Sequence, residues 1–515
     1  MVSSNNKSGP VVLVSRKIEY SFPNSYAYLS GYLIEQGEKI KILFRKDDLN
    51  QLINEILALN PLLVGFGNLY PELYEISQII KLLRSKNIEF PVVIGGQMVS
   101  PTPEFAVNIT DADIGVIGEG EIILYQLVQA LRKGNDPITV KGLVVRNKES
   151  TILTGAGEFI MDMRNLPKIP YELFPKEKWL KIGRWYVKNC PQPHWRFADK
   201  VINIQGGRGC PFICNFCYHH SIPRYKPIKD IVTEAKNLLA LFKANMIYFG
   251  DDLTITGPEK ARELVDYIKV YKIKASFSLS LRFDVLNKIN DELLWELKKS
   301  GCRIMGLGVE SGSNRILKII GKRITKEKMI IDLERLKNVG ILPTVSIMVG
   351  QFTETKEDVE ESIEFMLKTV RYNPNIQYAF TITTPFPGSR LYEYIFKKGL
   401  LKDNKEFYDK YFCSSSDWKQ VVNLSNMSDD EVAYYFDKIN KLYIAEKKKM
   451  LKKAVFKIEA LQFWFGRIHS KIEILYEKRK RNILLMILSS VFGIIYIIFQ
   501  ILLEKINLKL RGIKL

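Results

Sequence analysis

Histidine is scarce in this chain: four in 515 residues, the first being His194. Any metal or metallocofactor held by the residues before it is held without a histidine. Cysteine is nearly as rare, at six. Six over such a length is not a disulfide framework. Cys190, Cys302 and Cys413 stand alone, and no second cysteine cluster is present, so auxiliary metal clusters are not expected. The opening residues, Met1-Val-Ser-Ser-Asn-Asn-Lys-Ser8, lack an apolar core of signal-peptide length. Net positive charge is slight over most of the chain. Of the net +20, +13 falls between Lys438 and Leu515, where 18 Lys and Arg face 5 Asp and Glu. That asymmetry argues against a nucleic-acid-binding body and towards an anionic membrane surface touched by the tail.

What is present is concentrated in one run, Gly206-Gly207-Arg208-Gly209-Cys210-Pro-Phe-Ile-Cys214-Asn-Phe216-Cys217. Three thiolates spaced C-x3-C-x2-C can hold three irons of a four-iron cubane and leave the fourth open to a ligand. A structural zinc site would close its shell with four ligands, here with His219 or His220 as the fourth.

The run resembles the defining signature of the radical S-adenosylmethionine enzymes. The resemblance implies a 4Fe-4S cluster on Cys210, Cys214 and Cys217, with S-adenosylmethionine on the open iron. One electron would then release a 5′-deoxyadenosyl radical. It also implies adenine near Phe216 and cofactor contacts at three strand ends. These are Gly250, Asp251 and Asp252; Ser280 and Arg282; and Glu310 in Gly306-Leu-Gly308-Val-Glu310-Ser-Gly-Ser313. Arginine suits a carboxylate, and serine a ribose hydroxyl. Asp at 251 and 252 also reads as a helix cap. Gly350-Gln-Phe352-Thr353 departs from the family's usual turn. Thr384-Pro-Phe386-Pro387-Gly388-Ser-Arg390 matches a closing motif read as structural. No residue is singled out as catalytic.

The fold expected is α/β in three parts. Residues 1–150 alternate short apolar strands with helices, as in a doubly wound parallel sheet. They resemble the cobalamin-binding domain that precedes the radical domain in one large subfamily. Its weak cofactor set is Gly65, Gly67, Gly95, Gly96, Gly118, Glu119 and Gly120 at strand ends. Cobalamin would be bound with no histidine lower ligand; an empty lid of the same fold remains the alternative. Residues 151–199 read as a linker containing Leu166-Pro167-Lys-Ile-Pro170, and 200–400 as a partial (β/α)6 barrel whose chemistry gathers at the carboxyl ends of its strands. Residues 401–481 read as a basic helical region and 504–515 as a basic tail. Between them, 482–503 are 22 residues without a charge. As a helix they would extend about 33 Å, enough to cross a bilayer core of ~30 Å. An amphipathic stretch from Val455 to Leu475, with Trp464, reads as an interfacial helix.

These readings converge on a cobalamin-dependent radical enzyme at the cytoplasmic face of a membrane, anchored by 482–503. It would methylate an unactivated carbon of a lipid or other membrane-associated substrate, with a small-molecule or lipid substrate and the membrane surface as its expected partners. A flavodoxin or ferredoxin would supply electrons, and no nucleic acid is expected. Two alternatives stay open: a radical cyclase or rearrangement enzyme without cobalamin, and a membrane-tethered metal-binding scaffold that is not an enzyme.

Overall fold

The computed structural model describes residues 6–16, 22–147, 150–180, 200–218, 221–251, 253–412 and 421–450. Two sheets organise them. The first begins with β1 (Val11–Ser15), α1 (Asn24–Glu35), β2 (Ile40–Phe44), α2 (Leu49–Ala58), β3 (Leu63–Gly67) and α3 (Leu73–Arg84). It continues through β4 (Val92–Gly95), α4 (Pro103–Thr110), β5 (Ile114–Val116), α5 (Gly120–Lys133), β6 (Leu143–Asn147) and β7 (Ser150–Leu153). The strand order is β2-β1-β3-β4-β5-β6-β7. The chain reverses direction across the sheet at β1/β3, the place where such sheets bind ligands beyond their carboxyl ends.

The sheet is not wholly parallel, as the sequence reading expected. β6 runs antiparallel to β5, and β7 antiparallel to β6. No crossover helix fits between β6 and β7, and a parallel pair needs a crossover connection of a dozen or more residues. Local chemistry sets the helix ends. Asp48 accepts from the Asn50 and Gln51 amides at the start of α2, satisfying two otherwise orphaned donors. Gly134, at φ +74°, takes the left-handed turn that ends α5.

The second sheet is all parallel, in the order β15-β14-β13-β12-β11-β8. Its strands are β8 (Val201–Ile204), β11 (Met246–Phe249), β12 (Ser276–Leu281), β13 (Cys302–Glu310), β14 (Leu342–Val349) and β15 (Gln377–Ile382). Between β8 and β11 lie a two-residue ladder, β9 (Gly207–Arg208) with β10 (Arg224–Tyr225), and α6 (Ile228–Phe242). Then come α7 (Pro258–Val270), α8 (Phe283–Leu286), α9 (Asp291–Lys299), α10 (Asn314–Ile319), α11 (Lys326–Val339) and α12 (Lys356–Tyr372). Residues such as Ile202, Phe249, Leu279, Leu307 and Val345 bury one face of this sheet under the helices. The other face carries Ser280, Thr344, Ser346 and Thr381, which remain half-buried.

Aromatic seams tie the two halves together. Phe22 packs on Trp179, and Trp179 on Phe242, with ring centroids 5.1 and 4.9 Å apart. After the barrel, α13 (Arg390–Lys397) and α14 (Asn404–Phe412) return to the first sheet, where Phe407 meets Tyr70. α15 (Asp429–Met450) packs on α12.

The expected placement at a membrane face is corrected here. Among the described residues no helix is long and apolar enough to cross a membrane. The anchor expected at 482–503, the amphipathic stretch from Val455 to Leu475 and the basic tail all lie outside the described residues.

Candidate active site

The three thiols sit on the loop closed at its base by β9 and β10. Cys210 and Cys214 are half-buried and Cys217 is exposed. Glycine shapes this loop. Gly209 has φ +73°, and a Cβ there would lie 2.5 Å from the Ser221 carbonyl oxygen. The barrel braces the loop from two sides. The Asn215 amide donates to the Ile320 carbonyl at 3.4 Å, and its side-chain amide to the Ile319 carbonyl at 3.3 Å. The Leu391 amide donates to the Asn215 carbonyl at 3.1 Å. Gly388 lies against the Tyr218 ring, where a Cβ would come within 2.5 Å. The motif read as structural at 384–390 thus supports the cluster loop.

Among the described residues no three His, Cys, Asp or Glu side chains converge on a single metal ion. His219 and His220, the zinc alternative's fourth ligand, lie outside the described residues.

Arg282 is tied to this loop. Its guanidinium lies 3.7 Å from the centroid of the Phe212 ring, pairs with Asp284 at 2.8 Å, and donates to Cys214 Sγ at 3.2 Å. Burial opposes its charge, but Asp284 and Cys214 together raise its pKa above the ordinary value. Asp251 is also engaged: one oxygen accepts the Gly206 amide at 2.8 Å, and the other the Thr254 hydroxyl. Asp252 lies outside the described residues. Gly250 packs against Asn203, whose Oδ1 a Cβ would meet at 2.6 Å. Phe216 packs half-buried where the two hydrophobic cores meet. Ser280 faces Thr344 across Gly306, which keeps the space between them clear.

Glu310 ends β13 in a left-handed conformation, φ +64°. Its carboxylate folds back over Gly308, where any Cβ would clash with Oε1 at 2.1 Å. Lys322 Nζ donates to Oε1 at 3.1 Å and Ser346 Oγ to Oε2 at 3.0 Å. The Glu310 carbonyl accepts from Gln351 Nε2 at 2.7 Å. Strained backbone held by several bonds is a common mark of a functional position.

The other half of the site is a cleft of about 1290 Å³, counting its open mouth. Gly65, Gly67, Gly95, Gly96, Gly118, Glu119 and Gly120 all line it. At Gly118, with φ +84°, an added Cβ would meet no atom within 4 Å, so the backbone there borders open space. Tyr26 spans the β1/β3 switch point, donating to the Val14 carbonyl at 2.8 Å and accepting the Gly67 amide at 2.8 Å. The opposite wall includes Gln205, Gly207, Arg208, Gly209, Gly250 and Asp251. The glycine edge of the first sheet and the root of the cluster loop thus face each other. A large planar cofactor fits such a glycine-lined cradle, and among the described residues no histidine lines it.

Four charged residues at this junction escaped the sequence reading in their actual role. Glu119 pairs with Arg208 at 2.6 Å and with Arg224, and Glu121 pairs with Arg208 at 2.6 Å. Burial would push the Glu119 carboxyl up, but Arg208, Ser221 and Arg224 hold it below the usual range. Arg208 lay in the quoted cysteine run; Arg224 carried no local signal.

A Radical SAM superfamily model matches residues 204–366, and a B12 binding domain model matches residues 12–128. An uncharacterized methyltransferase of Pyrococcus horikoshii is 29% identical over 393 residues, covering 74% of this chain and 79% of its own. An anaerobic magnesium-protoporphyrin IX monomethyl ester cyclase of Rubrivivax gelatinosus is 24% identical over 385 residues, covering 72% and 66%. Among solved structures, the radical S-adenosylmethionine methyltransferase TsrM of Kitasatospora setae, with cobalamin and a 4Fe-4S cluster bound, superposes with a TM-score of 0.60. It is 18% identical and covers 76% of this chain and 75% of its own, a likeness of fold.

Proposed function

We propose that this chain, which belongs to the radical S-adenosylmethionine enzymes carrying a cobalamin-binding domain, transfers a methyl group to an unactivated carbon of a small-molecule substrate. The observation that carries this reading is the shared cleft: the glycine edge of the first sheet and the root of the cluster loop line one space. When bound, the cluster with S-adenosylmethionine supplies a carbon radical that removes a hydrogen atom, and cobalamin supplies the methyl group.

The chain's own residues hold and position. Cys210, Cys214 and Cys217 hold three irons. Glu310, pinned by Lys322 and Ser346, accepts hydrogen bonds from the ribose or the amine of S-adenosylmethionine. Ser280 stands within the same half-buried face for a ribose hydroxyl. The glycines at 65, 67, 95, 96, 118 and 120 let the backbone approach cobalamin closely. Arg282, bonded to Asp284 and Cys214, braces the cluster loop beside the place expected for S-adenosylmethionine. Exposed Cys217 gives a low-potential donor of the flavodoxin or ferredoxin type an approach to the cluster. The polar face carrying Ser280, Thr344, Ser346 and Thr381 favours an acceptor that can hydrogen-bond. A lipid acceptor loses its support together with the expected anchor.

The test is anaerobic turnover with S-adenosylmethionine labelled in its methyl group, using candidate acceptors with and without cobalamin. The reading predicts label in the product, with 5′-deoxyadenosine and S-adenosylhomocysteine formed together, and only when cobalamin is present. The likeness to an anaerobic cyclase supports a second reading, a ring closure or rearrangement. That reading predicts 5′-deoxyadenosine with no label in the product.

A further inference from the structure

The loop that holds the cysteines is closed by a ladder in which Arg208 stands directly opposite Arg224. Like charges facing each other across a ladder repel. Both side chains are largely buried, 12% and 7% exposed, so water screens them little. The carboxylates bonded to them come from the other sheet's side of the cleft. Glu119 Oε2 accepts Arg208 Nη1 at 2.6 Å, and Glu119 Oε1 accepts Arg224 Nη2. One carboxylate therefore bridges the two edges of the cluster loop. Glu121 accepts Arg208 Nη2 at 2.6 Å. Tyr28 and Phe159 cover the two guanidinium groups, at 5.3 and 4.7 Å from their ring centroids.

The same carboxylate belongs to the cleft. Glu119 immediately precedes α5 and sits between Gly118 and Gly120, and all three line the cleft with Arg208 and Gly209. Whatever occupies the cleft rests against the residue that closes the cluster loop.

We propose that Glu119 is a positioning residue that couples the two cofactor sites, so that loading the cluster loop tightens the cleft and filling the cleft stabilises the loop. Glu119 touches both sites, so a cofactor that favours the bridged arrangement of its carboxylate from one side favours it for the other as well. Linkage requires the effect to be reciprocal. The inference rests on the cofactor assignment proposed above.

The test compares the dissociation constant of hydroxocobalamin for full-length protein before and after cluster reconstitution, under anaerobic conditions. In the unsubstituted protein, cluster loading should tighten cobalamin binding about tenfold, within the usual range of coupling between sites. Glu119→Gln leaves two buried arginines facing a neutral amide and can fail to fold. The paired variant Glu119→Gln/Arg224→Met removes the repulsion with the bridge, and its ratio should fall to within about twofold of one. Glu121→Gln keeps the bridge and should keep most of the coupling. The cluster's electron paramagnetic resonance signal gives a readout independent of turnover: cobalamin should shift it in the unsubstituted protein and not in the paired variant. Equal ratios in the unsubstituted protein and the paired variant would overturn the proposal. So would identical cobalamin affinity with and without the cluster. Absence of any cobalamin binding to the unsubstituted protein would instead overturn the proposed function, and the coupling with it.

Discussion

Replacing Glu310 separates two effects that the structure superimposes. The residue sits at φ +64°, just past the register shift between β13 and β14. A side chain with a Cβ costs about 1–2 kcal/mol in that conformation, and glycine avoids the cost. The carboxylate meanwhile neutralises Lys322, whose side chain is only 7% exposed. Removing one partner of a buried pair destabilises by about 3–5 kcal/mol, because the other charge is left uncompensated. Glu310→Ala keeps the backbone strain and loses the pair, so it should lose about 3–5 kcal/mol. Glu310→Gly loses the pair and relieves the strain, so it should be about 1 kcal/mol more stable than the alanine variant. Glu310→Ala/Lys322→Met removes both charges and should recover most of the loss. Urea unfolding of the three variants, followed by far-ultraviolet circular dichroism, measures the differences. A glycine variant no more stable than the alanine variant would refute the strain argument. A paired variant as unstable as Glu310→Ala would refute the charge argument.

Three further outcomes are expected. Gly209→Ala forces a Cβ to φ +73° and to 2.5 Å from the Ser221 carbonyl; the backbone term alone is about 1–2 kcal/mol. Reconstituted iron per chain should therefore fall well below that of the unsubstituted protein, and unchanged iron would show that the loop finds another path. Arg282→Met removes the donor 3.2 Å from Cys214 Sγ. Donors to a cluster's sulfurs favour its reduced form, so the reduction potential should move negative, on the order of 50 mV, in a spectroscopic redox titration. Glu354 is buried, and burial raises its pKa to about 8 despite the Gln351 and Gly350 amides it accepts. A carboxyl raised above its unfolded value stabilises the fold fully below the unfolded pKa and loses that contribution as pH rises through about 8. Thermal unfolding should show the unsubstituted protein losing stability between pH 5 and 9 relative to Glu354→Gln, and parallel profiles would contradict this.

Much of this architecture was legible where local rules apply. Glycines closing β3, β4 and the turn after β5 announced backbone approach at one sheet edge, because a missing side chain at a strand end has few other uses. Ser280 was readable as projecting with Arg282 from alternation along β12. What the alternation could not report was Arg282's engagement with Phe212, Asp284 and Cys214. Phe212 and Cys214 lie far away in sequence, and no spacing rule joins them to Arg282. Asp251 was readable as a strand-end carboxylate; its use in holding the Gly206 amide and the Thr254 hydroxyl depends on the folded loop. The Glu119 bridge spans 89 residues to Arg208 and 105 to Arg224, and nothing in either segment signals the other. The antiparallel β6–β7 pair was missed for a different reason: direction is carried by the two-residue connection and not by the strands.

The measurement that bears most directly on the central claim is metal analysis after anaerobic reconstitution with iron, sulfide and hydroxocobalamin, followed by desalting. A cluster on Cys210, Cys214 and Cys217 beside an occupied cleft predicts about four irons and one cobalt per chain. Zinc in place of iron, or four irons with no cobalt, would contradict it.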